Sequence, residues 1–181
     1  MAASPEDLLA AYAQLLREWA PRLDLVAPGD LDRLEQRHIV DSLKARALVG
    51  AAPAGVALDA GSGAGLPGVP LAIVEPGRLW RLLEPRAKRA AFLDEVVRRL
   101  NLSAEVIPRT TRQAAGDPAL AGQHVVVTAR ALAEPRTAFE LMRPLVAPRG
   151  IRIVWVGQRA EIPPEAEERP DGLAIMRATG A

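Results

Sequence analysis

The sequence predicts an α/β fold with a doubly wound, mostly parallel sheet, an N-terminal helical extension and a shortened C-terminal region. Three observations carry this. From residue 56 onward, short apolar runs alternate with helical segments, and strands joined through helices imply right-handed crossovers into a parallel sheet. The first apolar run, Val56 to Asp59, empties into a glycine-rich turn. The fifty residues before it place apolar side chains at helical spacing instead.

The first helix begins at Ser4, an N-cap hydroxyl, followed by Pro5 and the acidic pair Glu6 and Asp7. Proline is tolerated in a first turn that lacks N–H partners anyway, and carboxylates favour the positive end of the helix dipole. Leu8, Leu9, Tyr12, Leu15, Leu16 and Trp19 then form one apolar face, and Pro21 is expected to limit the helix. A second helix is predicted after Pro28, Gly29 and Asp30, with Leu31, Leu34 and His38 on one stripe. These helices make residues 1–50 the extension and residues 51–181 the sheet-bearing unit. Within that unit, residues 56–59, 79–84, 105–107, 125–127 and 151–156 read as strands, and residues 66–74, 87–100 and 136–146 as helices. The helix at 87–100 is strongly amphipathic through Phe92, Leu93, Val96, Val97 and Leu100. A polar stretch with Pro163, Pro164 and Pro170 leads to a last short strand at 173–176, and no internal repeat is evident.

Composition excludes several classes of function. The 181 residues, 49% hydrophobic and 25% charged, suffice for a packed core without covalent staples. Absence of cysteine rules out disulfides, thiolate metal sites and any thiol nucleophile, including enzymes that attack a pyrimidine ring through cysteine. Two histidines, His38 and His124, argue against a histidine-rich metal site, so no metal is expected. No run of about 18 apolar residues occurs, and the N-terminus lacks the basic and apolar segments of a signal peptide. A cytoplasmic protein with no membrane partner is expected. Net charge is +1, distributed as about −2 in residues 1–50, about +4 in 51–150 and about −1 thereafter. Nearly all cations are arginine, which suits phosphate and base contacts, although genomic composition produces the same bias. Aromatics, at 3%, are too few for a base-stacking sheet.

The informative segment is Asp59-Ala60-Gly61-Ser62-Gly63-Ala64-Gly65-Leu66-Pro67-Gly68. A glycine turn between a buried strand and a helix lets a ligand approach the backbone at the switch point of the sheet. The dinucleotide fingerprint asks for its third glycine where this chain has Leu66, which disfavours a nicotinamide oxidoreductase. Glycines at alternating positions (Gly61, Gly63, Gly65) after the strand-terminal acid Asp59 form instead the S-adenosyl-L-methionine pattern. Glu84, closing the second strand, is placed to accept hydrogen bonds from two ribose hydroxyls.

This loop, read with Arg37-His38-Ile39-Val40-Asp41-Ser42, Leu82 to Arg89, Phe92-Leu93 and Arg130-Ala131, strongly resembles the glucose-inhibited division protein B family. Its members have a Rossmann-like, S-adenosylmethionine-dependent fold and methylate N7 of a guanine in 16S ribosomal RNA. The resemblance covers roughly residues 8–157, and the Gly-Leu-Pro-Gly ending together with the upstream Arg-His motif is more specific than the glycine loop alone. It implies that Gly61 and Leu66 contact the cofactor and that Thr111 and Arg112 border its adenine. Family members often carry an acid where Arg112 stands, so the implied contact is through backbone. Arg130 matches a cofactor-site arginine, whose charge would pair with the methionine carboxylate or with an RNA phosphate. The implied partner is 16S ribosomal RNA or the small-subunit particle.

Such chemistry needs little apparatus. Guanine N7 has a free lone pair, no proton must leave before attack, and no catalytic base is expected. In-line orientation alone can be worth about 7–11 kcal/mol. The element that enzymes acting on adenine N6 carry after their fourth strand is absent; Arg130-Ala-Leu-Ala stands there. His38 and Asp41, one turn apart on an apolar face, are expected to form structural hydrogen bonds that brace the loop, or to line the guanine pocket. The chain departs from the family at Gln123-His124, where an aromatic-Asp pair is usual, and at Val156-Gly157, where Lys-Gly is usual. The short stretch before the last strand predicts six strands where the family has seven. A divergent paralogue with another substrate, or a non-catalytic S-adenosylmethionine-binding module, are the competing readings.

Overall fold

The computed structural model describes residues 3–157 and 159–180. Helix α1 (Pro5–Leu23) starts with a reciprocal capping box: the Asp7 N–H donates to Ser4 Oγ (3.1 Å) and the Ser4 N–H to Asp7 Oδ2 (3.2 Å). It runs through Pro21, contrary to the expected stop there, and ends at Asp24, whose φ of 46° is left-handed. A proline this near the C-terminus removes one bond from the last turn only, and packing of the apolar face sustains the rest. The predicted second helix is helical but irregular: a 3₁₀ segment (Pro28–Arg33), a π-turn (Glu35–Ile39), then α2 (Val40–Leu43) and α3 (Arg46–Ala51).

The sheet contains β1 (Val56–Ala60), β2 (Trp80–Leu83), β3 (Ala104–Ile107), β4 (His124–Arg130), β5 (Val146–Trp155), β6 (Glu167–Glu168) and β7 (Leu173–Arg177), in the order β3-β2-β1-β4-β5-β7-β6. The first five strands are mutually parallel, and β7 runs antiparallel between β5 and β6. The expectation of six strands is therefore corrected to seven. The seventh fits because it is an edge of two residues, pairing Glu167 with Ile175 and Glu168 with Ala174. A short, charged edge needs little chain and still covers the exposed side of β7.

Helices α4 (Gly68–Val74), α5 (Ala87–Leu100), α6 (Thr111–Ala115) and α7 (Pro135–Met142) complete the fold. The bounds of α5 agree with the sequence reading, whereas α6 stands where that reading has no helix. Its own capping box, Thr110 with Gln113, was the available signal. Alternation along β2 sends Leu82 to one face and Leu83 to the other. On the first face Tyr12, Leu16, Leu34 and Ile39 of the N-terminal segments share one core with Phe92 and Leu93. On the second, Leu58, Val127 and Val154 pack beneath Phe139 and Met142 of α7. Among the described residues, no helix is long and apolar enough to cross a membrane.

Candidate functional site

The segments following β1, β2, β3 and β4 converge at the carboxyl end of the sheet. There they line a cleft of about 260 Å³ with Gly61, Glu84, Pro85, Arg86, Arg89, Arg109, Thr110, Thr111, Ala131 and Leu132. Strand order reverses between β1 and β4, so the cleft sits at the switch point, where open α/β sheets bind their ligands.

The glycine loop is held from several directions. The Ser62 N–H donates to the Leu83 carbonyl (2.8 Å) and the Gly65 N–H to the Ser62 carbonyl (2.7 Å). The Tyr12 hydroxyl, brought by α1, donates to the Ala64 carbonyl (2.8 Å); burial raises the pKa of this phenol, so it remains a donor. Asp59 lies behind the loop rather than in the cleft. Its Oδ2 accepts from the Gly68 N–H (3.2 Å) and its Oδ1 from the Thr128 hydroxyl (2.8 Å). Burial pushes its pKa up to about 6, against the lowering effect of these bonds.

Glu84 is 4% exposed, and its carboxylate accepts the Gly63 N–H at Oε2 (2.9 Å) and the Arg86 N–H at Oε1 (2.8 Å). Each oxygen can accept a further bond from a ligand in the cleft. Gly61 has φ 73°, a conformation that favours glycine, and a Cβ there would stand 2.8 Å from Leu132 Cδ1 on the cleft wall.

Of the residues singled out in the sequence, Gly61, Glu84 and Thr111 meet in the cleft. Gly63 joins them through its bond to Glu84. Leu66 turns its side chain into the core with Tyr12 and Leu93, and Gly65 packs against Val69, Leu93 and Tyr12. Arg112 is exposed on α6 outside the cleft lining. Arg130 ends β4, where it meets the N-terminal segments: Nη2 donates to His38 Nδ1 (3.0 Å) and Nη1 to Asp41 Oδ2 (3.3 Å). His38 in turn bonds Asp30 Oδ2 through Nε2 (3.1 Å), and Trp155 donates to the Asp41 carbonyl (3.0 Å).

Sequence reasoning missed Pro85, Arg109, Thr110 and Leu132. The position after β3 marked Arg109 and Thr110, but no local signal marked Leu132. Beside the cleft a second depression of about 340 Å³ is lined by Arg22, Asp24, Arg86, Lys88 and Arg89, and shares Arg86 and Arg89 with it. Of the two family departures, His124 is a buried structural residue at the start of β4, bonded through Nδ1 to the Leu145 carbonyl (2.9 Å). Val156 donates its N–H to the Gly172 carbonyl (3.0 Å). Among the described residues, no group of three His, Asp or Glu side chains could hold a metal ion.

A family model described as rRNA small subunit methyltransferase G matches residues 6–176. The ribosomal RNA small subunit methyltransferase G of Halorhodospira halophila is 36% identical over 167 residues, 92% of this chain and 76% of that protein. The protein of the same name from Acidiphilium cryptum is 40% identical over 157 residues, 84% of this chain and 69% of that one. A solved structure of a MtNAS variant in complex with S-adenosylmethionine shares the fold. Its TM-score is 0.58 at 16% identity, over 94% of this chain and 75% of that one.

Proposed function

The chain belongs to the rRNA small subunit methyltransferase G family, and on that premise we propose that it transfers a methyl group from S-adenosylmethionine to N7 of a guanine in 16S ribosomal RNA. The setting is the cytoplasm, and the substrate is the RNA itself or the small-subunit particle. The observation that carries the reading to this chain is the meeting of Gly61, Glu84 and Thr111 in one cleft at the switch point.

Two features support the fit of S-adenosylmethionine. A buried carboxylate with free acceptor capacity suits the paired ribose hydroxyls, and the backbone at Gly61 stays bare where any Cβ would meet Leu132. When bound, the cofactor supplies a methyl group on cationic sulfur, electrophilic enough to react with a neutral nucleophile. The chain's residues have no proton to remove, because guanine N7 already presents a lone pair.

Their task is orientation, worth about 7–11 kcal/mol in favourable cases. Glu84 fixes the ribose, and Gly61 and Gly63 present backbone to the ligand. Thr111 and the backbone of Arg112 border the adenine. Leu66 contributes backbone only, since its side chain belongs to the core, and Asp59 stiffens the loop from behind. Arg130, held by His38 and Asp41, offers positive charge to the methionine carboxylate or to an RNA phosphate. The exposed cations Arg86 and Lys88, with Arg22 beside them, guide the RNA towards the cleft.

The test is methyl transfer to 16S RNA extracted from a strain lacking the modification, with mass spectrometry locating the methyl group. A methyl at guanine N7 is expected. Cofactor binding without transfer to RNA or to small-subunit particles overturns the reading in favour of a binding module.

A further inference from the structure

A second group of clefts shares no lining residue with the cofactor cleft. On β5, Arg152 pairs with Val127 of β4 and Met176 of β7, so a guanidinium emerges from a largely apolar sheet face beneath α7. Arg152 is only 6% exposed. Its Nη1 donates to the Phe139 carbonyl (2.9 Å), and its guanidinium carbon lies 5.9 Å from the centre of the Phe139 ring. Nε has no hydrogen-bond acceptor. Among the described residues, no carboxylate comes within 4.0 Å of it.

An arginine buried this deeply is ordinarily paired, because desolvating a lone cation is expensive. The neighbours deepen the imbalance. Arg143 opposes the charge of Arg152 more strongly than Glu140 supports it. Two adjoining clefts, of about 240 Å³ and about 450 Å³, both reach Arg152 and Arg143; Arg136 lines the first and Arg177 the second. Glu165 lines both, without an ion pair to any of these arginines among the described residues. Nε of Arg152 is buried without an acceptor, and the hydrogen bond its guanidinium makes, from Nη1, goes to the Phe139 carbonyl; an oxyanion at the Nε–Nη2 edge, where a guanidinium grips through two bonds, would satisfy it.

We propose that this cleft binds a phosphate group, with Arg152 at its floor and Arg143 and Arg136 at its rim. Several guanidinium forks converging from different elements match a tetrahedral, multiply charged oxyanion better than a single planar carboxylate. The phosphate belongs either to an RNA backbone or to a free, small phosphorylated molecule. The proposal is independent of methyl transfer, because none of its residues lines the cofactor cleft.

Calorimetry at low ionic strength tests it, with inorganic phosphate and a short single-stranded oligouridylate as probes. The wild-type protein is compared with Arg152→Met and Arg143→Gln. The expected result is saturable phosphate binding that Arg143→Gln, a change at an exposed position, weakens about tenfold and that Arg152→Met abolishes. Phosphate should also raise the melting temperature of the wild type and leave that of Arg152→Met unchanged. Competition between phosphate and oligouridylate identifies an RNA phosphodiester as the occupant; phosphate binding without competition identifies a free phosphate. Absence of saturable phosphate binding, or equal affinity in the wild type and both variants, overturns the proposal.

Discussion

His38 Nδ1 accepts a hydrogen bond from Arg130 Nη2 across 3.0 Å, joining residues 92 positions apart in the chain. A guanidinium has no acceptor, so Nδ1 carries no proton and the imidazole proton sits on Nε2, facing Asp30 Oδ2 at 3.1 Å. Protonation at Nδ1 would turn a donor toward a donor. The pair is thus a latch between the N-terminal segments and the end of β4, closed while His38 is neutral.

The latch predicts a pH dependence. Burial first, and Arg130 second, lower the pKa of His38 below its usual 6.5. As pH falls below about 6.5, the unfolded chain gains a proton before the folded one does, and stability declines until the folded-state pKa is passed. His124, also lowered by burial, acts in the same direction. Asp59, raised to about 6, acts in the opposite sense between its unfolded value and about 6. Melting His38→Gln between pH 7.5 and pH 5 should give a shallower loss on acidification than the wild type. An unchanged slope rejects the latch.

Arg130→Ala should weaken S-adenosylmethionine binding by about 1.5–3 kcal/mol if the guanidinium holds the methionine carboxylate. If it holds an RNA phosphate, cofactor affinity should survive while RNA binding and turnover fall. Arg130→Lys should rescue partly, since an ammonium cannot span both His38 and Asp41 as the fork does. Cofactor titration and turnover of the folded variants measure both; wild-type values throughout leave Arg130 a purely structural residue.

The glycines of the loop should separate by what surrounds them. Gly63 has φ 57°, and a Cβ there would meet only the Gly61 carbonyl oxygen, at an ordinary 3.9 Å, so Gly63→Ala should cost about 1–2 kcal/mol of stability from backbone strain. At Gly65, φ is 95° and a Cβ would lie 2.7 Å from Val69 Cγ2 and 3.0 Å from Leu93 Cδ2. Overpacking there should add about 1–3 kcal/mol to the loss. Gly61→Val should abolish cofactor binding in a folded protein, because the branched side chain fills the wall of the cleft. Denaturant melts rank the first two, and calorimetry with the methyl donor checks the third.

RNA binding should depend steeply on salt. Arg86 and Arg89 line the cleft and its neighbour, and Lys88 lines the neighbour. With about three or four phosphate contacts to single-stranded RNA, log K against log salt should slope at roughly −2 to −3. Filter binding across a salt series reads the slope directly. A flat response points to a small-molecule substrate.

What the sequence determined by itself lay in patterns of consecutive residues. Apolar spacing fixed α5 to its end residues, the capping signal at Ser4 started α1, and the alternation of strand and helix gave the doubly wound sheet. The glycine spacing and the strand-end acid identified Gly61 and Glu84, which the fold brings into one cleft. Tertiary structure decided the contacts between distant segments. Leu66 and Gly65 sit in the same loop as Gly61, yet burial against Tyr12 and Leu93 turns them toward the core. Arg130 was legible as a strand-end arginine, but its partners His38 and Asp41 come from a segment 89 to 92 residues away. Pairing with β7 makes a strand of Glu167 and Glu168, whose own sequence has no strand pattern. Burial of Arg152 without a carboxylate depends on where α7 and the chain before β6 come to rest. Local propensity and periodicity act over one or two turns of chain, whereas the environment of a polar side chain is set only when the chain closes on itself.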